Sequence, residues 1–451
     1  MKNIRIFVDF GSTFTKVAAF DMDKEELVAR IQSPSTVDTD IMIGLRAALD
    51  ALSEVVVFSE ENVKNAVACS SAAGGLKMVC IGLVPEYTTE AGRLAALGAG
   101  AKVVGTYSYE LSKAEAREID ALNPDIVLLT GGTDGGNKKT ICHNAERLEE
   151  FTNVRNIIVA GNKSARDELE EIFENTDKNV IYAKNVMPEF GMLDIDPVNE
   201  KIRELFINRI TDAKGISGVQ ETIGKVLMPT PSAVLEAAKL IADGITGQYN
   251  GLGELLLVDV GGATTDVYTV ASGVPARGDV NLVGLREPYA KRTVEGDLGL
   301  FHNIDTLSEI AERADTDTVE KLRSSLSIPE GSEQQKLQMS LTRAAVKTAV
   351  TRHVGRADVV MTGNGPVTVQ RGKDMTKCRL VIGAGGPVAF SADPKWVLEG
   401  AVKQDDEANI LKPESPKFMT DDKYILFAIG LMFRTEPEKA LRIIKKYLRE
   451  I

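Results

Sequence analysis

Cysteine is scarce in this chain. Cys69, Cys80, Cys142 and Cys378 are the only four in 451 residues. No two are close enough for a C-x-x-C redox pair or a zinc knuckle, so the pattern excludes a disulfide scaffold and predicts four reduced thiols in a cytoplasmic protein. The three histidines, His143, His302 and His353, are far apart and are expected on the surface or as satisfied core residues. Long apolar runs are missing too. The longest, Tyr424 to Phe433, is interrupted by Gly430 and is well short of the ~18 residues that cross a bilayer. Met1-Lys2-Asn3 leads straight into a strand pattern without the continuous apolar core of a secretory signal, so neither membrane attachment nor export is expected. Positive charge is in deficit: 65 acidic residues against 53 basic ones give a net charge of -12. That balance opposes attraction to a polyphosphate backbone or an anionic lipid surface, and nucleic acid is not an expected partner.

Two nucleotide motifs are absent as well. A Walker A loop needs a hydroxyl after its lysine, and neither Gly224-Lys225-Val226 nor Gly372-Lys373-Asp374 supplies one. Gly98-Ala99-Gly100 and Gly383-Ala384-Gly385 lack the third glycine of a dinucleotide fingerprint.

What is present is an ordinary soluble composition, 43% apolar and 26% charged, over a length that calls for more than one hydrophobic core. The chain writes one device twice. Ile4 to Asp9 reads as a buried strand, a Gly/Ser/Thr turn follows, and Lys16 to Phe20 is the return strand. Glu254 to Asp259, the turn from Val260, and Val267 to Val270 repeat it. Asp125 to Thr130, ending in Gly131-Gly132, and Leu380 to Ile382, ending in Gly383-Ala384-Gly385-Gly386, stand at near-equal distances beyond the two turns. The economical reading is a duplicated α/β unit. Between the halves, strands at Asn156 to Ala160 and Val180 to Ala183 flank a helix from Ser164 to Asn175 that its serine caps. Helices are predicted over Val198–Ile210, Pro231–Ala242 and Pro437–Arg449, Gln335 to Val354 is an amphipathic stretch, and Asp405 to Asp422 reads as a mobile surface loop.

An aspartate at a strand end before a small, hydroxyl-rich turn suits a nucleoside triphosphate. Small residues let backbone N–H groups approach phosphate oxygens, and hydroxyls add donors. A carboxylate next to phosphate requires a hydrated divalent cation between them. Asp9, Gly11, Ser12, Thr13 and Thr15 offer this once, with Lys16 as a charge partner; Asp259, Gly261, Gly262, Thr264, Thr265 and Asp266 offer it again.

Asp9-Phe10-Gly11-Ser12-Thr13 resembles the first phosphate loop of the sugar kinase, heat-shock chaperone and actin superfamily. Val260-Gly261-Gly262-Ala263-Thr264-Thr265-Asp266, entered from Asp259, resembles the second, and Val381 to Pro387 the adenosine segment. The resemblance implies an α/β fold of two duplicated actin-like (ribonuclease H-like) lobes with ATP or ADP and Mg²⁺ in the interlobe cleft. The first lobe would span 1–250, with an α/β extension over about 137–244, and the second 251–451. By the same resemblance Asp9 and Asp259 would organise the metal, Asp266 would orient or deprotonate the attacking water beside Asp9, and Gly383, Gly385 and Gly386 would lie against adenosine.

A narrower resemblance runs through nearly the whole chain. Ser70-Ser71-Ala72-Ala73-Gly74-Gly75-Leu76, Thr130 to Asn137, Asn185-Val186-Met187-Pro188 and Val294 to Gly299 are similar to the MutL or GlmL family of glutamate mutase accessory proteins. It implies an ATP-driven reactivating chaperone for an adenosylcobalamin-dependent mutase, of the glutamate mutase or aminomutase kind, and leaves a homodimer open. No histidine sits in an Asp-x-His-x-x-Gly pattern, so no directly bound cobalamin is expected. A small-molecule kinase of the same fold and a non-catalytic, nucleotide-gated scaffold are the alternatives. One departure stands out: heat-shock ATPases carry a glutamate where Thr230 precedes Pro231-Ser232-Ala233 here, which puts the metal shell and fast hydrolysis in question. Thr130 to Asn137 is expected to be a strand-to-helix turn with Asp134 near the helix start, or a partner surface.

Overall fold

In the computed structural model the residues described are 3–36, 39–71, 76–212, 222–311, 319–320, 329 and 331–451. Ala72 to Gly75, in the Ser70–Leu76 motif, lie outside the described residues. The chain forms two compact units, one of Met1–Ser70, Lys214–Leu282 and Tyr289–Ile451, the other of Ser71–Ala213 and Val283–Pro288. In chain order the strands are β1 (Ile4–Phe10), β2 (Phe14–Asp21), β3 (Glu26–Pro34), β4 (Val67–Ser70), β5 (Lys77–Gly82), β6 (Lys102–Ser108), β7 (Ile126–Leu129), β8 (Asn156–Val159), β9 (Asn179–Tyr182) and β10 (Lys225–Pro229). There follow β11 (Gly244–Ile245), β12 (Tyr249–Asn250), β13 (Leu255–Val260), β14 (Thr265–Val270), β15 (Val280–Leu282), β16 (Ala290–Glu295), β17 (Arg356–Thr362), β18 (Gly365–Arg371), β19 (Leu380–Ala384), β20 (Lys417–Thr420) and β21 (Arg449–Glu450).

The first unit is built on two sheets with one plan. In β10-β4-β1-β2-β3, the strands β3, β2 and β1 are antiparallel neighbours, and β4 and β10 add in parallel. In β16-β14-β13-β19-β20-β21 the first five repeat those directions, so β13 stands for β1, β14 for β2 and β19 for β4. This is the expected duplicated actin-like α/β architecture, with one correction. The strand matching β19 is β4, not Asp125–Thr130, because Val67–Ser70 is what pairs with the end of β1. A glycine after a buried strand is common to parallel α/β connections, and that shared chemistry made two unrelated strand ends look alike.

After β10 and β20 come the helices Thr230–Asp243 and Leu426–Phe433, which pack on each other between the sheets. Both are apolar almost all round, as a helix buried on every side must be. Their contact is closest at Gly430, where an added Cβ would lie 1.8 Å from the Ala233 carbonyl oxygen. Phe7, Phe20, Met228, Leu257, Tyr268 and Ile382 from the sheets join this core. The helix Gly331–His353 covers the other face of the second sheet, where Leu341, Val346 and Val350 meet Val258 and Val267.

The second unit is a parallel sheet of order β6-β5-β7-β8-β9 with helices on both faces. It takes in β5, β6 and β7 as well as the strands expected in the extension at 137–244. Its helix Arg166–Phe173 is preceded by a turn in which the Asn162 side chain, not Ser164, accepts the capping hydrogen bond. The expected loop from Asp405 to Asp422 instead carries core strand β20, and Lys412 is buried in an ion pair with Glu407 at 2.7 Å. Pairing with β19 outweighs the polar composition that suggested mobility. Among the described residues no helix is long and apolar enough to cross a membrane.

Candidate functional site

The two hairpins are closed by the same bond, from Gly11 N–H to the Phe14 carbonyl at 3.0 Å and from Gly261 N–H to the Thr264 carbonyl at 2.9 Å. Each puts an aspartate directly across the ladder from a residue seven positions on: Asp9 faces Lys16, and Asp259 faces Asp266. The loops meet, since a Cβ on Gly262 would sit 3.5 Å from the Thr13 hydroxyl. Gly385 is needed beside them: at φ +89° its added Cβ would strike the Val260 carbonyl and come within 2.8 Å of the Asp259 carboxylate.

Asp9 is 1% exposed and fully engaged. Lys16 Nζ donates to Oδ2 at 3.0 Å, the Thr230 hydroxyl donates to Oδ1 at 2.6 Å, and the Cys69 thiol lies 3.6 Å from Oδ1. Thr230 therefore fills the place of the missing glutamate with a neutral donor. Burial disfavours the Lys16 charge, but Asp9 and then Tyr424 outweigh it and hold the ammonium above its ordinary value. Its Nζ stands 4.2 Å from the centre of the Tyr424 ring, and Tyr424 has φ +56°, a left-handed backbone costly for an aromatic residue.

Asp259 is the opposite case. Burial, then the Asp266 carboxylate, push it up to about 7, with Lys16 pulling the other way. Among the described residues no hydrogen bond reaches its carboxylate. Asp266 is neutralised by Arg292 of β16, whose Nε and Nη2 reach Oδ1 at 2.8 and 2.5 Å, while Thr264 donates to Oδ2 at 3.1 Å. Burial alone would weaken the Arg292 charge, and Asp266 reverses that. An uncompensated carboxylate at a loop mouth, beside glycine-lined backbone, is chemically suited to a divalent cation that keeps most of its waters. No cluster of three or more metal-ligating side chains occurs among the described residues, so a cation here would need phosphate or water ligands.

Not every expected residue comes to the loops. Ser12 and Thr13 are exposed and Gly261, Gly262 and Thr264 half-buried, all at the turns. Thr15 and Thr265, one residue before Lys16 and Asp266, point to the other sheet face because strand side chains alternate. Thr15 Oγ1 lies 3.1 Å from where a Gly44 Cβ would be, and the Thr265 hydroxyl donates to the Leu298 carbonyl at 2.6 Å. Gly383 is a packing glycine, its space taken by Val388 and Leu398, whereas Gly386 is partly open. The Val294–Gly299 motif braces the second loop, with no room for a side chain at Gly299 against Ala263 and a bond from Leu300 N–H to the Gly261 carbonyl at 3.0 Å.

Arg292, Tyr424 and Cys69 were not foreseen as site residues. Only strand pairing brings Arg292 to Asp266, and no local motif marks it. A hollow of about 240 Å³ lies beyond the adenosine-like segment, lined by Ser340, Arg343, Ala344, Lys347 and Trp396 among others. The Arg343 guanidinium carbon lies 4.5 Å from the centre of the Trp396 ring, a cation over an aromatic face.

The fold and site define a duplicated actin-like α/β protein with paired hairpins, each carrying an aspartate at the end of its first strand. The MutL protein family model matches residues 5–448, and Protein MutL of Clostridium tetanomorphum is 42% identical over 459 residues, 99% of each chain. The chain belongs to the MutL family. Among solved structures it is similar to a glycerol dehydratase reactivase, at 11% identity and TM-score 0.35 over 96% of this chain and 99% of that one. It is also similar to the activator of the 2-hydroxyisocaproyl-CoA dehydratase from Clostridium difficile with bound ADPNP, at 12% identity and TM-score 0.31 over 98% and 97%. These superpositions are loose, and the fold is read from the strand topology.

Proposed function

We propose that this chain is an ATP-dependent accessory protein that reactivates an adenosylcobalamin-dependent mutase. The observation that carries the nucleotide part is the meeting of two hairpins of one design, Asp9 with Lys16 against Asp259 with Asp266. Membership of the MutL family supports the mutase part. Asp259 and, through water, Asp9 would hold Mg²⁺; the ion would screen the phosphate charge. Lys16 presents a positive charge to phosphate, and Ser12, Thr13 and the Gly261–Gly262 backbone offer donors. Asp266 keeps only Oδ2 for a water, shared with Thr264, and with Oδ1 held by Arg292 it orients that water better than it removes a proton. Thr230 adds no negative charge at Asp9, which is consistent with slow turnover.

The test is twofold. Purified chain should release phosphate from Mg-ATP with no sugar or acid acceptor added, and inactivated mutase should regain activity with the chain, ATP and free cofactor. Phosphate transfer to a small molecule, with no reactivation, would establish the kinase alternative. Nucleotide binding without hydrolysis or reactivation would leave a scaffold.

A further inference from the structure

In a doubly wound sheet the ligand crevice opens at the carboxyl ends of the strands where the order reverses, here between β5 and β7. The second unit closes that crevice with its own chain. After β9 the segment Asn185–Pro188 turns back across the strand ends. Asn185 Nδ2 donates to the Gly132 carbonyl and to Asp134 Oδ1, both at 3.0 Å, and Asp134 N–H donates to the Pro188 carbonyl at 3.0 Å. Val186 and Met187 are 0% and 2% exposed, so they fill the space rather than line it. The glycine-rich loop is spent on the same closure: Asn162 Oδ1 accepts from Gly135 N–H and its Nδ2 donates to the Gly136 carbonyl, while Asn137 caps the following helix through Thr140 N–H. The buried Val186 and Met187 and the engaged Asn162, Asn185 and Asp134 side chains occupy the place where a small ligand would sit.

The closure leaves apolar groups on the outside of that edge. The segment ends in a tight turn, Met192 N–H to the Glu189 carbonyl at 3.0 Å with Gly191 at φ +76°, which presents Phe190 at its tip, 73% exposed. Phe190 lies against Tyr87 of the loop after β5, ring centres 4.6 Å apart. Tyr109, in the loop after β6, is also exposed and is held at φ +68° by Asn144 Nδ2 on its carbonyl at 2.9 Å. The left-handed backbone at Tyr109 costs energy, and the bonds to Asn144 and from Tyr109 N–H to the Leu83 carbonyl fix it with the ring facing water. Each of the three adjoins an exposed glutamate, as Glu86-Tyr87, Tyr109-Glu110 and Glu189-Phe190, and none of these glutamates forms an ion pair among the described residues.

We propose that this edge is the docking surface for a folded protein partner whose facing patch is an apolar pocket rimmed by lysine and arginine. Rigid aromatic anchors enter the pocket, and the glutamates meet its rim. The assignment rests on the proposed function in taking that partner to be the mutase. The acidic rim disfavours an anionic membrane, and like charges oppose a second copy of the same face.

The test uses full-length chain, purified mutase, and the variants Phe190→Ser, Tyr87→Ala/Phe190→Ser and Glu86→Lys/Glu189→Lys, with Val57→Ser, an exposed residue of the first unit, as the surface control. Mutase capture should fall at least tenfold in the double variants, while circular dichroism, ATP affinity and phosphate release stay as in the parent. Raising salt from 50 to 500 mM should weaken capture by the parent several-fold and by the lysine variant much less. If the parent captures mutase and the variants do so equally, this inference falls and the proposed function stands. If the parent captures no mutase with ADP or ATP, both fall. Self-association of the parent abolished by these substitutions, or parent bound to anionic vesicles through them, would overturn the inference in favour of those occupants.

Discussion

Asp259→Asn separates a cation site from a hairpin that merely carries acids. In the folded chain burial and the facing Asp266 carboxylate push Asp259 up to about 7, against roughly 3.9 for a free aspartate. Between those values the folded state keeps a proton that the unfolded chain has released. Stability of the ligand-free protein therefore falls as pH rises from about 4 to about 7 and levels off above, a loss on the order of a few kcal/mol. Asparagine removes the cost, so the ligand-free variant should melt higher than the parent at pH 8 and close to it at pH 4. Cation binding runs the other way. A metal at Asp259 must displace that proton below pH 7, so Mg-ATP affinity in the parent should improve about tenfold between pH 6 and pH 8, with proton uptake by the buffer. The variant should bind at least tenfold more weakly at pH 8 and show a shallower pH dependence; whatever slope it keeps belongs to the nucleotide. Thermal melts and calorimetry in two buffers of different ionisation enthalpy measure both. A variant that melts lower at pH 8 and binds Mg-ATP with the parent's affinity and slope would refute the reasoning.

Thr230→Ala should leave Asp9 Oδ1 without its 2.6 Å donor and lower stability by about 1.5–3 kcal/mol in denaturant titration, with Thr230→Ser retaining most of it. Arg292→Met should be worse, about 3–5 kcal/mol, because it strands the buried Asp266 carboxylate, and the paired change with Asp266→Asn should recover much of that loss while phosphate release stays low. Gly430→Leu has no space against Ala233 and should yield insoluble or markedly destabilised protein on expression, whereas Gly44, at the edge of the Thr15 pocket, should accept alanine with a smaller effect.

Both hairpins were legible in the sequence because a strand, a Gly/Ser/Thr turn and a return strand are local signals, and the pairings Asp9 to Lys16 and Asp259 to Asp266 follow once the turn is placed. What was not legible depends on distant chain. Arg292 reaches Asp266 across a strand pair, a spacing with no sequence signature; Thr230 is marked in the sequence only as the place of a missing glutamate, and its bond to Asp9 from 221 positions away is what the structure adds. Thr15 and Thr265 were assigned to phosphate because hydroxyls clustered there, whereas the alternation of β2 and β14 turns them to the packed face. The sequence shows only the C-terminal half of the second unit, because the pattern at Asp125–Thr130 reads as part of the duplication and no motif marks β5 or β6.

The asymmetry of the two hairpins is what gives the site a direction. Position seven after the aspartate is lysine in one copy and aspartate in the other, on otherwise matching ladders. In the first copy Asp9 and Lys16 neutralise each other, and the ammonium keeps its proton at any working pH because Asp9 and Tyr424 overcome the burial that opposes it. In the second, Arg292 neutralises Asp266, while Asp259 has no ion-pair partner among the described residues and is pushed up to about 7 by burial and the Asp266 carboxylate. A similar divergence follows each sheet's last core strand: Thr230 turns to Asp9, while Asp421 turns away to accept the backbone N–H groups of Ile425 and Leu426 at 2.8–3.0 Å. Two identical hairpins would face a ligand with like charge on both sides. On the proposed function, the diverged pair would turn the Lys16 ammonium, already paired with Asp9, toward phosphate and the Asp259 carboxylate toward a metal, the alternation a magnesium nucleotide carries. Exchanging Lys16 for Asp would restore the symmetry, and such a chain should lose nucleotide binding even if it still folds.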